Sequence, residues 1–248
     1  MIECVDVRKA YGGTSALDGV DVVFPFSGLV ALVGPNGAGK TTLLNVLTGF
    51  EHPDSGRCSV GNQDVTRRNP VFISRLGVAR TFQEVRLIRD VSAIENVAFA
   101  RPRQAGEHLL RGLFGLGVAD EESRNLQEAE RLLQFVGLTE SRARWSQELS
   151  YGQQKLLTLA CVLATEARIL LLDEPVSGVD PAMRERILEL LTRLRANHRL
   201  VLFIEHDLDA VRRAADIVFA MDNGKILAHG KPNDVLGSDS VLQAFVTG

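Results

Sequence analysis

The sequence predicts an α/β fold in which a mainly parallel sheet is interrupted by an inserted helical segment. Strands alternate with helices between residues 169 and 221, a rhythm typical of parallel sheets, whose crossovers need a helix. A helical stretch over residues 91–164 separates this part from strands near the N-terminus. The chain has 248 residues, 45% of them hydrophobic, which suffices for a substantial α/β core.

Composition and charge exclude several classes of protein. The hydrophobic share is too high for a disordered chain. A net charge of -3 and a pI near 6.0 give no sign of the basic surface that nucleic-acid binding needs. Cys4, Cys58 and Cys161 are far apart in the sequence, so we expect neither a disulfide framework nor a metal cluster. We expect the protein to work in a reducing environment.

No stretch of the sequence predicts a membrane span or a secretory signal. The most apolar runs, Val20–Val33 and Leu156–Leu172, are interrupted by polar residues or proline. Neither supplies the roughly 20 apolar residues that a bilayer requires. We therefore expect any membrane role to act through a partner.

The N-terminal third is predicted to contain short strands followed by a helix. Runs of β-type residues lie at Ile2–Val7, Val20–Phe24 and Leu29–Val33, and glycines punctuate them. From Lys40 the pattern turns helical, with leucines on one face. Residues 57–82 are predicted to return to short strands and turns.

The middle of the chain is predicted to be mainly helical. Ser92 and Glu95 have the spacing of a capping box, which opens a helix toward Phe99. Residues 102–122 carry four glycines among leucines, a composition that predicts a loop with room for one short helix. Helical periodicity returns at residues 123–136 and 150–165.

The C-terminal third follows a βαβαβ pattern. Asp180 and Pro181 are predicted as the N-cap and the first residue of a helix. The predicted elements are strand Ile169–Leu172, helix Ala182–Arg195, strand Leu200–Ile204, helix Leu208–Ala215, strand Ile217–Met221 and, after a turn at 222–224, strand Lys225–Ala228.

A glycine-rich loop at residues 34–41 has the spacing G-x-x-x-x-G-K-[ST], between a predicted strand and a predicted helix. Glycines let such a backbone turn tightly and aim its N–H groups at phosphate oxygens. The helix start adds its positive dipole end. Lys40 can reach the β- and γ-phosphates, and Thr41 offers a hydroxyl to Mg²⁺. The loop therefore predicts a nucleotide site.

An apolar strand at residues 169–172 ends in Asp173 and Glu174. Acids at the carboxyl end of a buried parallel strand lie where such sheets bind ligands. We expect Asp173 to hold Mg²⁺, directly or through water, and Glu174 to act as general base toward an attacking water. The loop and this strand alone leave kinases, GTPases and helicases open.

Three further features narrow the choice. Residues 149–155 read Leu-Ser-Tyr-Gly-Gln-Gln-Lys shortly before the acidic strand, Gln83 lies between the two motifs, and His206 follows the strand at 200–204. With these, the whole chain resembles the ATP-binding subunits of ABC transporters. Residues 34–42 match the Walker A loop, 169–174 the Walker B strand, 149–153 the signature with Tyr151 where glycine is usual, and 177–180 the D-loop.

The resemblance implies a role for each matching residue. Tyr11 matches the aromatic residue that stacks on adenine, Gln83 the Q-loop glutamine and His206 the switch histidine. We expect Ser150 to be a helix N-cap offered to ATP on a partner subunit. The implied catalytic residues are Glu174, His206 and Gln83, and the implied metal-binding residues are Thr41, Gln83 and Asp173. The implied nucleotide-binding residues are Tyr11, Gly34, Pro35, Asn36, Gly37, Ala38, Gly39, Lys40, Thr41, Thr42, Ser150, Gly152, Gln153 and Asp180.

The resemblance also implies an organisation and a set of partners. The expected fold has a P-loop core with an N-terminal antiparallel β subdomain, over residues 1–90 and 165–248, and a helical signature subdomain over 91–164. ATP and Mg²⁺ would be sandwiched in a head-to-tail dimer with a second copy or a paralogue. Residues 84–88 would contact integral membrane permease subunits, and an external solute-binding protein would be an indirect partner. The chain would lie at the cytoplasmic face of the cell (inner) membrane.

A finer resemblance points to importers of branched-chain or related amino acids. It rests on residues 77–83, 94–97 and 204–207, on the signature with Tyr151, and on the tail at 240–245. Asp180 departs from the Asn that this subgroup often has. Urea or amide import, lipopolysaccharide-type export and a soluble nucleic-acid-associated ABC ATPase remain alternatives, as do a small-molecule kinase and a non-catalytic nucleotide-binding module.

Overall fold

The computed structural model describes residues 1–102, 118–195 and 198–247. Its strands are β1 (Ile2–Tyr11), β2 (Thr14–Phe24), β3 (Gly28–Val33), β4 (Ser55–Val60), β5 (Gln63–Asp64), β6 (Val78–Arg80), β7 (Ile169–Asp173), β8 (Leu200–Ile204), β9 (Ile217–Asp222) and β10 (Lys225–Gly230). Its α-helices are α1 (Lys40–Leu47), α2 (Pro70–Arg75), α3 (Ala93–Phe99), α4 (Val118–Val136), α5 (Tyr151–Ala164), α6 (Pro181–Arg195), α7 (Leu208–Ala214), α8 (Pro232–Leu236) and α9 (Asp239–Thr247).

The chain divides into two compact units. The core unit comprises Met1–Arg80, Arg168–Ser177 and Arg184–Gly248. The helical unit comprises Thr81–Ala167 and Gly178–Met183.

The larger sheet of the core unit has the strand order β10-β9-β3-β8-β7-β6. All its pairs are parallel except β10 with β9, which confirms the predicted mainly parallel sheet. Every residue of β7 and β8 is buried, as expected of strands in the middle of a parallel sheet. The carboxyl ends of β3, β7 and β8 therefore meet at one edge of the sheet.

The smaller sheet of the core unit is antiparallel, with the order β2-β1-β4-β5. It places Cys4 opposite Cys58, and their Sγ atoms are 2.7 Å apart in the core. Both are free thiols, and the residues are far apart only in sequence. Burial and the hydrogen bond with Cys58 raise the pKa of the Cys4 thiol, the hydrogen bond being the larger cause.

In the helical unit, α3 packs against α4 and α5, and α4 packs against α5. Val97, Leu133 and Leu156 are fully buried in this unit. The predicted capping box at the start of α3 is confirmed, because Ser92 and Glu95 each accept the other's backbone N–H. Among the residues described, no helix is long and apolar enough to cross a membrane.

The structure corrects some of the predicted elements. Helix α2 was predicted as strand or turn. It is one short helix, capped by the Asn69 side chain and started by Pro70, and too short for a periodic pattern. Helix α4 begins at Val118, inside the predicted loop at 102–122. Residues 103–117 of that predicted loop lie outside the described residues. Helices α8 and α9 were not predicted.

Candidate functional site

The glycine-rich loop joins the end of β3 to the start of α1 in the core unit. Gly39 is the N-cap of α1 with φ 99°, and a Cβ there would lie 2.2 Å from the Ala16 carbonyl oxygen. A Cβ on Gly34 would lie 2.0 Å from the Met221 carbonyl oxygen. Both positions therefore require glycine, because the loop passes directly over neighbouring backbone. Asn36 and Gly37 at the crest of the loop are exposed.

Lys40 is held inside this loop. Its Nζ donates hydrogen bonds to the carbonyl oxygens of Gly34, at 2.8 Å, and Pro35, at 2.7 Å. Burial lowers the pKa of Lys40, and the negative charges of Glu174 and Asp173 oppose that shift. The ammonium is thus fixed by the loop and lies in the electrostatic field of the two acids at the end of β7.

Tyr11 lies beside α1. Its phenol interacts with Thr42 of α1, and the Lys9 ammonium lies 5.3 Å from the centre of its ring. Burial and the charge of Glu51 raise the pKa of the phenol, against the effects of Lys9 and Thr42. The residue remains 44% exposed. It therefore presents an accessible aromatic surface next to the glycine-rich loop.

Asp173 is the last residue of β7 and is almost fully buried. Its Oδ2 lies 3.1 Å from the Arg80 Nη2, and both side chains are only 4% exposed. Burial raises the pKa of Asp173, while the hydrogen bond and charge of Arg80 oppose that shift. Sequence analysis missed Arg80, although it lies three residues before Gln83.

Glu174 directly follows β7, and His206 follows the neighbouring strand β8. Glu174 adopts a left-handed backbone with φ 49°, and its N–H donates to the Ile204 carbonyl oxygen at 3.1 Å. A non-glycine residue in this region is strained, and such strain is concentrated at functional sites. The Nδ1 of His206 lies 3.9 Å from Glu174 Oε1, and the imidazole is more than half exposed. The two side chains are therefore close and reachable from solvent.

Glu205 is a second residue that the sequence reasoning missed. It is only 1% exposed, and its Oε1 accepts the Val176 N–H at 2.9 Å. This contact ties the residue before His206 to the turn after Glu174. The available signal was an acid directly before His206, in the segment Ile-Glu-His-Asp.

In the helical unit, α5 begins with a capping box. Ser150 Oγ accepts the Gln153 N–H at 3.3 Å, and Gln153 Oε1 accepts the Ser150 N–H at 3.0 Å. The predicted N-cap at Ser150 is therefore confirmed. Tyr151 is exposed, and the Lys155 ammonium lies 5.5 Å from its ring centre. A Cβ on Gly152 would lie 2.8 Å from Met183 Cγ, so Gly152 keeps this helix start close to Met183.

Asp180 caps the start of α6. Its Oδ1 accepts the N–H groups of Ala182 and Met183, both at 3.0 Å, and Pro181 is the first residue of the helix. The predicted cap is confirmed. Gly178 lies against the Tyr151 ring, since a Cβ on it would be 3.1 Å from Tyr151 Cε1. The segment at 178–183 and the start of α5 are thus packed together.

The predicted site residues fall on both units. The core unit brings together Tyr11, the glycine-rich loop, Asp173, Glu174 and His206. The helical unit holds Ser150, Gly152, Gln153 and Asp180, and also Gln83, which is exposed in an irregular segment.

The core-unit cluster can bind a phosphate chain and act on it. A glycine-rich loop, a lysine and a helix start bind phosphate oxygens. A carboxylate at the end of the neighbouring buried strand suits a hard cation, and a second carboxylate with a nearby imidazole suits activation of water. This combination defines a P-loop nucleoside triphosphatase.

Comparison with known proteins places the chain within that class. The family described as ABC transporter matches residues 17–177. The chain therefore belongs to the ABC transporter family and is an ATP-binding cassette of that family, with its α/β fold and its ATPase activity.

Its relatives cover nearly the whole chain. A high-affinity branched-chain amino acid transport ATP-binding protein, BraF, from Pseudomonas aeruginosa is 36% identical over 99% of this chain and 97% of its own length. LivG from Escherichia coli, with the same description, is 36% identical over 95% of this chain and 93% of its own length. The crystal structure of the ADP conformation of MJ1267, an ATP-binding cassette of an ABC transporter, superimposes with a TM-score of 0.85 at 31% identity, covering 100% of this chain and 99% of that one.

Proposed function

We propose that this chain drives the import of branched-chain or related amino acids by binding and hydrolysing Mg²⁺–ATP. The observation that carries the chemical part is the convergence of Lys40, Asp173, Glu174 and His206 in one unit. The solute class is supported by the two relatives described as branched-chain amino acid transport proteins.

In this proposal the core unit binds ATP along the start of α1. The N–H groups of the glycine-rich loop and the positive end of α1 contact the phosphates. Lys40 exchanges its contacts with the Gly34 and Pro35 carbonyl oxygens for contacts with the β- and γ-phosphates. Tyr11 stacks on adenine, and residues 34–42 supply the remaining contacts.

The side chains at the site fit Mg²⁺. Thr41 is exposed at the start of α1, and Asp173 offers a carboxylate at the end of β7. Oxygen atoms from one or two side chains, together with phosphates and water, are the ligands that Mg²⁺ prefers. Thr41 and Asp173 would hold the ion, with the Gln83 amide oxygen as a third ligand. When bound, the ion would neutralise negative charge on the phosphate chain.

Glu174 and His206 carry the hydrolytic step in this proposal. Glu174 accepts a proton from the attacking water, and the strained backbone at Glu174 fixes where its carboxylate can reach. His206, 3.9 Å from Glu174, contacts the γ-phosphate and orients the water. The tie between Glu205 and Val176 supports both residues, because it joins the two segments that carry them.

The helical unit contributes to ATP bound on a second ATPase subunit, a copy of this chain or a paralogue. The start of α5, with Ser150, Gly152 and Gln153, faces the γ-phosphate of that ATP, and Asp180 lies beside it. A helix N-terminus supplies the positive potential that phosphoryl transfer requires. The exposed Tyr151 at the first position of α5 supports an accessible helix start.

The segment at residues 84–88 is the proposed contact with integral membrane permease subunits. Ile88 is 53% exposed, whereas its backbone N–H and carbonyl are both held by hydrogen bonds. Asn96 accepts the Ile88 N–H at 2.8 Å and donates to the Ile88 carbonyl oxygen at 3.0 Å, and the Ser146 hydroxyl donates to that carbonyl at 2.7 Å. An apolar side chain on a backbone that is already fixed loses little conformational freedom on docking.

We further propose that residues 1–90 and 165–248 act as the nucleotide-binding part and residues 91–164 as the signature-bearing part. The compact units differ from this functional division at residues 81–90, 165–167 and 178–183, which carry Gln83 and Asp180. The working location is peripheral, at the cytoplasmic face of the cell (inner) membrane, with a solute-binding protein acting on the opposite side.

Co-purification tests the whole proposal. The chain is tagged in its native host, the membranes are solubilised gently, and the proteins that co-purify are identified by mass spectrometry. Polytopic permease subunits of an amino-acid importer are the expected result, with or without a second ATPase. A soluble dimer without a membrane partner, or one bound to ribosomes or DNA, would contradict the transport role and leave the ATPase chemistry intact.

A further inference from the structure

Arg80 is a buried arginine that connects three elements of the core unit. It is the last residue of β6 and pairs in register with Leu171 of the neighbouring β7. Its Nη2 lies 3.1 Å from Asp173 Oδ2, and its Nη1 donates to Asn45 Oδ1 at 2.6 Å and to Thr48 Oγ1 at 3.3 Å.

These contacts differ from those of an ordinary surface ion pair, because the guanidinium is buried and has three partners. Arginine is rarely buried unless its charge is paired, and the Arg80 side chain is only 4% exposed. Its planar guanidinium presents fixed, diverging donors, so one side chain reaches a carboxylate, an amide and a hydroxyl together. The surface pair between Arg213 and Glu185 lacks this burial, since the side chains are 60% and 41% exposed.

The sheet topology shows which elements the hydrogen bonds of Arg80 link. Thr41 lies at the start of α1, Asn45 lies near its end, and Thr48 is its C-cap. Asp173 lies on β7, which is separated in the sheet from β3, the strand that leads into α1, by β8. The two candidate Mg²⁺ ligands therefore come from elements that are not adjacent, and Arg80 links these elements through hydrogen bonds.

We propose that Arg80 is a positioning residue that fixes the Asp173 carboxylate relative to α1, so that Asp173 and Thr41 keep the spacing that Mg²⁺–nucleotide binding needs. The inference rests on the proposed function, because it assumes that Asp173 and Thr41 hold the ion. Residues that orient metal ligands through hydrogen bonds typically change metal affinity by about 10–100-fold when they are replaced.

The experiment measures nucleotide affinity with and without metal. A non-hydrolysable ATP analogue is titrated into the full chain by calorimetry, once with Mg²⁺ and once with EDTA. Arg80→Lys keeps the charge but cannot reach all three acceptors together. We expect it to reduce the gain in affinity that Mg²⁺ provides by about tenfold, with the affinity in EDTA unchanged.

Three further variants separate positioning from folding. Arg213→Lys is the matched control on an exposed pair, and we expect it to retain the full Mg²⁺ gain. Asn45→Ala removes one contact of Arg80, and we expect a smaller loss of the same gain. In an Asp173→Asn background, Arg80→Lys is expected to have no further effect, because the two residues act as one unit.

The outcomes distinguish this inference from the proposed function. A wild-type Mg²⁺ gain in Arg80→Lys, or equal losses of affinity with Mg²⁺ and with EDTA, would overturn the positioning role. A wild-type chain that binds no nucleotide under either condition would instead overturn the proposed function. Thermal unfolding of each variant establishes that the folded protein was titrated, and Asn45→Ala decides the question if Arg80→Lys does not fold.

Discussion

The chain contains two helix starts that are proposed to meet phosphate, and they are built in opposite ways. Helix α1 is capped by Gly39, which has no side chain and adopts φ 99°. Helix α5 is capped by Ser150 and Gln153, which satisfy each other's backbone N–H groups. The amides at the start of α1 depend on a ligand or water, whereas two of those at the start of α5 already have partners within the protein.

This difference indicates a division of labour between the two helices. The start of α1 lies with Lys40, Asp173 and Glu174 in the core unit, and we infer that an anion completes it. At the start of α5 the capping box already pairs two backbone N–H groups, so an anion that binds the Ser150 N–H has to compete with the Gln153 side chain. We therefore expect the start of α1 to bind nucleotide in a single chain. The start of α5 should bind phosphate only when a partner subunit presents its ATP.

The largest effect is expected when ATP hydrolysis is lost and nucleotide binding at the start of α1 is retained. Glu174→Gln loses the general base, a contribution of about 10²–10⁴-fold to the rate, while the phosphate contacts remain. Turnover should fall by that order. ATP should still bind, and the protein should accumulate as a dimer, measured by phosphate release, calorimetry and light scattering.

The surface glutamate Glu185, which pairs with Arg213, supplies the control. Glu185→Gln should hydrolyse ATP normally. Near-normal turnover in Glu174→Gln would remove Glu174 from the role of general base.

The next largest effect is expected for ATP binding at the start of α1. Lys40→Ala removes the buried ammonium that the loop carbonyls hold. Because a charged hydrogen bond contributes about 1.5–3 kcal/mol, ATP affinity should fall by about 10–100-fold. Calorimetry measures the loss, with the exposed Lys225 changed to Ala as control. Unchanged affinity in Lys40→Ala would show that α1 does not bind nucleotide through this residue.

Local sequence patterns were sufficient to predict both helix starts. The predicted N-cap at Ser150 and the glycine-rich loop each lie within a few consecutive residues, so their local sequence alone indicates a helix start. Asp173 and Glu174 were found because a fully apolar strand ends at them. The main parallel sheet followed from the alternation of strands and helices.

The contacts that orient these residues could not be predicted in the same way. Arg80 meets Asp173 across 93 positions of sequence, and Glu205 meets Val176 across 29. Such pairs depend on the strand order of the sheet, and no periodic pattern encodes them. The proximity of Cys4 and Cys58 could not be predicted for the same reason, because the register of β1 and β4 brings the residues together.

Hydrogen exchange compares the two helix starts in one experiment. Adding Mg²⁺–ATP to dilute protein should slow exchange of the amides at residues 36–43, because bound phosphate oxygens accept those N–H groups. Exchange at residues 150–155 should change only at concentrations where Glu174→Gln forms dimers. Equal protection of both segments in a monomer would contradict the division of labour.

The smallest effect is expected from the cap of α5. Ser150→Ala removes the side chain that accepts the Gln153 N–H, and loss of such a cap costs about 1 kcal/mol. Ser150→Gly should cost only a few tenths of that, because glycine is tolerated at N-caps.

Denaturant unfolding followed by fluorescence of Trp145, the single tryptophan of the chain, measures this loss within the helical unit. Ser92→Ala, at the capping box of α3, is the matched variant and should destabilise the same unit by a similar amount. If Ser150→Ala were as stable as the wild type, the α5 start would not be satisfied by its own cap. Both helix starts would then depend on a ligand, and the contrast between them would disappear.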